Sequence, residues 1–217
     1  MVAALPWYNT VRTDMFNRPH TKYEKRLLKE GYQAVVGLDE VGRGAWAGPI
    51  VAGAAIMPHR PRLYNVRDSK VLSPKKRDEL AERIKERAQC WAIGVVPHYE
   101  IDEVGIVRAN ELAMLRAVEN LTLQPDYILI DAFKIVGLPA KYSAVAHGDA
   151  MIYSIAAASI VAKVERDRMM TEYDEQFPYY GFGSNKGYGT DAHKISLDQY
   201  GVCDIHRRSF HPMKTMV

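Results

Sequence analysis

Cysteine is nearly absent: Cys90 and Cys203 are the two in 217 residues. They lie far apart and in no paired spacing, which argues against a disulfide framework or a cysteine zinc site. A reducing cytoplasm is therefore the expected location. No stretch approaches the ~18 consecutive apolar residues of a spanning helix, so no membrane partner is expected. The opening MVAALPWYNTVRTDMF lacks a basic segment followed by a long enough apolar core, and a secretion signal is not expected either. Internal repeats and low-complexity segments are missing. So is a dominant charge: 29 Lys and Arg face 26 Asp and Glu, for a net +3 and a pI near 8.7. That balance permits a polyanionic partner without requiring one.

What is present is an alternation of apolar runs and helical patterns, with 47% hydrophobic residues to build a core. Residues 34–38 (AVVGL) and the IVAGAAIM run after Gly48-Pro49 read as two strands, and CWAIGVV at 90–96 as a third. Tyr127 to Ile130 reads as a buried fourth strand after a Gln-Pro-Asp turn, and Tyr142 to Ala146 as a fifth. Ser73-Pro74 starts a helix to about Ala88, with proline at its first position. There Asp78, Glu79, Glu82 and Glu86 interleave with the basic residues of 75–87, the pattern of a salt-bridged surface helix. Between Ile106 and Leu121, apolar residues at 107, 114, 118 and 121 predict a core-facing helical stripe. From Asp149 a long helix is predicted, apolar in its first half and charged in its second. Strands divided by helices predict an α/β protein with a sheet covered on both sides.

The stretch richest in chemistry is Asp39-Glu40-Val41-Gly42-Arg43-Gly44-Ala45-Trp46, two adjacent carboxylates followed by a Gly-Arg-Gly turn. Neighbours on a regular strand point to opposite faces, so Asp39 and Glu40 are expected to converge because the chain leaves strand geometry there. Gly42 and Gly44 permit the departure and let the backbone approach a ligand, while Arg43 offers a fork of donors suited to phosphate. The plain alternative is a tight turn with a solvated charge pair. Asp131 closes another apolar strand. Asp149 is expected to start the long helix, where the macrodipole and free N–H groups stabilise an anion. Four carboxylates cannot stay ionised together without cations, and an all-oxygen set suits Mg²⁺ or Mn²⁺. Basic residues cluster at 75–77, 163–168 and 207–208, and GFGSNKGYGT mixes lysine with aromatics. Histidines at 59, 98, 147, 193, 206 and 211 show no metal-pairing interval, and none is assigned a catalytic role.

GLDEVGRGAWAGPIVAGAAI resembles the opening signature of ribonuclease HII, and five further blocks follow in the family's order. They are RDSKVLSPKKRDEL at 67–80, ILID at 128–131, HGDAMIYSIAAASIVAKVERDR at 147–168, NKGYGTDAH at 185–193 and HRRSFHP at 206–212. The resemblance covers about residues 31 to 212. Two positions depart from it: Ala132 follows Asp131 where many relatives have glycine, and Trp46 stands where a smaller apolar residue is common.

The resemblance implies a ribonuclease H-like fold, a central mixed five-stranded sheet flanked by helices with a small helical C-terminal part. It divides the chain into an N-terminal extension (1–30, partly flexible), a catalytic core (31–180) and a substrate-contacting helical region (181–217). It implies an endoribonuclease that hydrolyses the RNA strand of RNA–DNA hybrids and nicks DNA 5′ of embedded ribonucleotides, acting as a monomer and leaving 3′-hydroxyl and 5′-phosphate ends. Asp39, Glu40, Asp131 and Asp149 would hold two divalent ions, Mg²⁺ or Mn²⁺. Gly42, Arg43 and Gly44 would sense the 2′-hydroxyl through the backbone and Tyr188 would pack on the ribose. Lys186, Lys163 and Lys70 would contact the phosphate backbone. Three alternatives stand beside this reading. A ribonuclease HIII would carry a different turn and a further N-terminal domain. A noncatalytic nucleic-acid binder would gain nothing from four acids facing phosphate. A two-carboxylate glycosidase would leave the Gly-Arg-Gly turn unexplained.

Overall fold

The computed structural model describes residues 18–216 except 59–62, 64, 67, 68, 70 and 71. Its centre is a mixed sheet of five strands, β1 (Val35–Val41), β2 (Ile50–Ile56), β3 (Cys90–Val96), β4 (Tyr127–Asp131) and β5 (Lys141–Val145), in the order β3-β2-β1-β4-β5. The first three form an antiparallel meander, whereas β4 runs parallel to β1 and β5 parallel to β4. β2 is buried along its whole length, as a central strand covered on both faces must be.

The helices are α1 (Lys22–Lys29), α2 (Pro74–Arg87), α3 (His98–Val104), α4 (Ile106–Glu119), α5 (Gly148–Met151), α6 (Tyr153–Gln176), α7 (Phe182–Asn185) and α8 (Asp191–Tyr200). α4 covers one face of the sheet and α6 the other, as the alternation along β2 shows: Ala52, Ala54 and Ile56 pack with α4, and Ala55 packs with α6. Missing side chains set the distances. A Cβ at Gly94 would lie 2.0 Å from the Ala113 carbonyl oxygen of α4, and one at Gly37 would lie 2.2 Å from the Ser154 carbonyl carbon of α6.

Three local expectations fail. Val107 is 65% exposed, whereas Met114, Val118 and Leu121 are buried as expected, and Ala109, Asn110, Ala113 and Ala117 complete the buried stripe. Small residues carry it because β3 approaches too closely for large ones. The predicted long helix is also broken: α5 ends at Met151, Ile152 is extended (φ −109°, ψ 124°), and α6 starts at Tyr153. Residue 152 leaves the helix to bridge His20, whose N–H donates to Met151 O and whose carbonyl accepts from Tyr153 N. Finally, α2 is more than a solvated surface helix. Arg77, Leu80, Ala81 and Ile84 are buried, and Lys85 pairs with Glu165 of α6 at 2.8 Å as well as with Glu82.

α1, which falls inside the segment 1–30, packs Tyr23 and Leu27 against Val35, Tyr127, Leu129 and Ile155. The Glu24 carboxylate accepts from the backbone N–H and hydroxyl of Ser154 at 2.9 Å each, capping the first turn of α6. Beyond α6, a separate cluster of Met170, Tyr180, Phe182, Leu197, Ile205 and Met213 ties the C-terminal helices to the loop after β1.

Candidate active site

β1 carries the first two acids, but not as the sequence suggests. The strand continues through both, Asp39 opposite Gly53 and Glu40 opposite Ala52, and ends only at Val41. Pleating therefore directs Asp39 to the α6 face with Gly37 and Glu40 to the face of Leu38. The chain leaves strand geometry two residues later, at Gly42 (φ +89°). Asp39 is buried beneath α6, where Ser159 hydrogen-bonds it and Ser69 of the connection between β2 and α2 stands 3.1 Å from the Ser159 hydroxyl. Neither serine was singled out from the sequence, although both lie in the quoted blocks.

Asp131 closes β4 and Asp149 sits in α5. The Asp131 Oδ1 accepts the Gly148 N–H at 2.8 Å, joining the end of β4 to the turn that presents Asp149. Asp149 belongs to this four-residue turn and not to the long helix, so the macrodipole of α6 is not what stabilises it. Ala132, directly after Asp131, has φ +58°. This is a left-handed conformation that glycine adopts freely and alanine does not.

Burial pushes the Asp39 carboxyl well above the ordinary aspartate range. The negative charge of Glu40 adds to this, the Ser159 hydrogen bond opposes it, and Asp131 and Asp149 raise it further. Asp39 thus feels acids from two other segments, Asp131 at the end of β4 and Asp149 in α5, besides its neighbour Glu40. Among the described residues, however, no three Asp, Glu, His or Cys side chains stand close enough together to enclose an ion. The donor set fits a hard divalent cation in chemistry, being all oxygen with an excess of like charge. Closing a ligand shell would require the side chains to draw in.

The turn after β1 is held by two arginines that are completely buried. Arg166 of α6 donates Nε to Pro49 O (2.9 Å), Nη1 to Lys186 O (2.9 Å) and Nη2 to Ala47 O (3.3 Å). Arg207 donates Nε to Gly48 O (3.0 Å), Nη1 to Arg43 O (3.0 Å) and Nη2 to Gly42 O (2.7 Å). Gly42 is required twice over: its φ is positive, and a Cβ there would lie 2.1 Å from Arg166 Nε. Burial, with Arg166 adding repulsion, lowers Arg207 to about 9. Six carbonyl dipoles compensate the two cations. From the sequence these arginines were part of basic clusters that could face solvent or phosphate. Only their place in the motif blocks hinted at a structural use.

The loop carrying Lys186 and Tyr188 docks on the same turn. Trp46 and Ala47 both donate backbone N–H groups to Gly187 O, at 2.7 and 3.2 Å. The Trp46 indole fills the space where a Cβ on Gly189 would stand, 2.2 Å away. Tyr188 is half-buried, with its ring 5.4 Å from the Arg166 guanidinium carbon. The Arg43 guanidinium lies 4.7 Å over the Phe133 ring, which links the turn to the end of β4. The Gly42–Gly44 turn and Tyr188 are thereby brought together by Arg166. The lysines are placed differently. Lys186 Nζ donates to Thr171 Oγ1 at 3.0 Å, and Lys163 Nζ pairs with Asp167 at 2.6 Å, within an ion pair shared with Arg77. Lys70 lies outside the described residues.

Comparison with known proteins agrees with this geometry. The family model for ribonuclease HII matches residues 36–213. The chain is 48% identical over 204 residues to the ribonuclease HII of Dehalococcoides mccartyi, covering 92% of this chain and 95% of that one. It is 48% identical over 194 residues to that of Listeria monocytogenes, covering 89% and 74%. Among solved structures, the ribonuclease H2 of Pyrococcus horikoshii superposes with a TM-score of 0.74 at 28% identity, over 85% of this chain and 97% of that one. A buried acid hub beside an arginine-pinned glycine turn, on a sheet of this topology and with these relatives, places the chain in the ribonuclease HII family of endoribonucleases that act on RNA–DNA hybrids.

Proposed function

We propose that the chain hydrolyses the RNA strand of hybrids and nicks DNA on the 5′ side of an embedded ribonucleotide by two-metal catalysis. Asp39, Glu40, Asp131 and Asp149 are the residues that would hold Mg²⁺ or Mn²⁺. The observation that carries this reading is the place of Asp39, a buried carboxyl raised by its burial and by its neighbour Glu40, with Asp131 of β4 and Asp149 of α5 adding to it. A cation beside such a group stabilises its anionic form. When bound, the ions would supply Lewis-acid stabilisation of charge on the scissile phosphate.

The chain's own residues do the remainder. Asp39 and Asp131 are fixed by Ser159 and by the Gly148 N–H, so the carboxylates are oriented before any ion arrives. Gly42, Arg43 and Gly44 present backbone groups to the ribose 2′-hydroxyl, the atom that separates RNA from DNA. Tyr188 packs on the same sugar. Lys186 and Lys163 are candidates for phosphate contact, and each would have to exchange a present partner, Thr171 or Asp167, for phosphate. The enzyme is read as a monomer working in the cytoplasm on replication- and repair-derived duplexes. No described helix is long and apolar enough to cross a membrane.

A duplex containing one ribonucleotide, incubated with and without Mg²⁺ or Mn²⁺, tests the reading. Metal-dependent nicking 5′ of the ribonucleotide, leaving 3′-hydroxyl and 5′-phosphate ends, is expected. Binding without cutting in either metal would overturn it.

A further inference from the structure

Two imidazoles that the proposed chemistry does not use are buried beneath the Tyr188 loop. His193 and His206 are both fully buried, and their Nε2 atoms stand 3.0 Å apart. The outer nitrogens are engaged as well: His193 Nδ1 is 2.9 Å from Tyr188 O, and His206 Nδ1 is 3.0 Å from both the backbone N and the Sγ of Cys203. Trp46, Tyr180 and Phe182 surround the pair.

The proton positions follow from the two ends. A backbone N–H only donates, so His206 Nδ1 is bare and a neutral His206 carries its proton on Nε2. That proton points at His193 Nε2, which must therefore be bare, leaving the His193 proton on Nδ1. A carbonyl only accepts, and Tyr188 O is what Nδ1 faces. Starting from Tyr188 and working back gives the same assignment. Adding a proton to either ring would set two donors face to face, at the Nε2 contact or at Cys203. Burial accordingly lowers both histidines, His206 to about 4 with His193 and His98 adding repulsion.

We infer that His193 and His206 are positioning residues for ribose recognition, a neutral two-imidazole relay running from the Cys203 N–H to the Tyr188 carbonyl that fixes the backbone from which the Tyr188 ring is presented. The inference rests on the reading of Tyr188 as the residue that packs on the ribose. The Tyr188 carbonyl also accepts from Thr190 N at 2.8 Å, and Thr190 Oγ1 accepts from His193 N at the start of α8. The relay is therefore a second brace on a turn that already has one. It holds the loop against the rigid C-terminal cluster, where the Thr190 cap alone holds it to its own helix.

Two measurements on the full chain test it. Nitrogen-15 NMR of histidine-labelled protein should show both rings neutral at pH 7 and a scalar coupling between the two Nε2 nuclei across the shared proton. Absence of that coupling, or a charged ring, overturns the relay. Cleavage of a single-ribonucleotide duplex by folded His206→Phe should then fall about tenfold in kcat with little change in KM, the scale on which a small misplacement of a positioning group acts. His206→Gln, which keeps an N–H for His193, should recover most of the loss. Wild-type kcat in His206→Phe, or no recovery in His206→Gln, overturns the positioning role even with the coupling present. Tyr188→Ala is the control for the underlying reading. If it cleaves the same duplex at the wild-type rate while the coupling persists, ribose packing by Tyr188 fails and the inference falls with it.

Discussion

Two clusters of like charge lie within one small region of this protein, and they are treated in opposite ways. The acids around Asp39 come from β1, β4 and α5; burial and the negative charge of Glu40, with Asp131 and Asp149 adding to it, push the Asp39 carboxyl up against the opposing Ser159 hydrogen bond. Arg166 and Arg207 are buried just as deeply, yet each donor finds a main-chain carbonyl. The difference separates two uses of charge. A charge satisfied by the protein itself holds backbone in place, and a charge left in excess is available to something that binds. Residue type alone does not distinguish the two.

The contrast makes the acids dispensable for folding and the arginines dispensable for chemistry. Asp39→Asn or Asp131→Asn should reduce cleavage by on the order of 10³-fold or more, the scale of losing one electrostatic element of a transition state. The same Asp39→Asn change should raise the melting temperature of the metal-free protein at pH 7. The sign follows from linkage: a carboxyl raised in the folded state contributes stability below its unfolded pKa and loses it as pH rises through the folded value, so at neutral pH its removal relieves strain. Near-normal turnover or a lowered melting temperature would break the comparison from the acidic side.

From the basic side, Arg207→Met removes three charge-assisted hydrogen bonds, those to the carbonyls of Gly42, Arg43 and Gly48. A loss of about 3 kcal/mol or more is expected by chemical denaturation, with Mn²⁺ affinity unchanged. Destabilisation of only a few tenths of a kcal/mol would mean that the turn holds itself. Tyr188→Ala should reduce cleavage at a single ribonucleotide by about tenfold, a loss of roughly 1.4 kcal/mol in the transition state, while duplex binding measured by anisotropy barely moves. Equal losses on both counts would make Tyr188 a packing residue. The smallest effect concerns the end of β4. Ala132→Gly should stabilise the protein by up to about 1 kcal/mol, since glycine takes φ +58° without the Cβ penalty, partly offset by unfolded-state entropy. A loss of stability there would mean that the alanine methyl packs usefully.

The strands were legible because each is a short apolar run bounded by turn residues, and the termini of β4 and α2 follow directly from Gln-Pro-Asp and Ser-Pro. Where the reading failed, a tertiary contact had outweighed a local pattern. Ile152 is a sound helix residue, but it bridges His20. Val107 fits a helical stripe, but the close approach of Gly94 moves the buried face onto alanines. Asp39 and Glu40 looked like a turn because two acids seemed to need one site, whereas the strand runs through both. Within the site, the four acids and the glycine turn stood out as residue types. Arg166, Arg207, His193 and His206 did not, because their meaning depends on tertiary partners, such as His206 for His193, 13 residues away, and Gly42 for Arg207, 165 away.

The central claim is that the four carboxylates hold divalent cations. The most direct test is anomalous diffraction from crystals grown with Mn²⁺ and a non-cleavable duplex bearing one ribonucleotide. Two manganese peaks bounded by Asp39, Glu40, Asp131 and Asp149, with those side chains drawn closer than in the metal-free protein, are expected. A fully occupied duplex with no manganese between these residues would contradict the account.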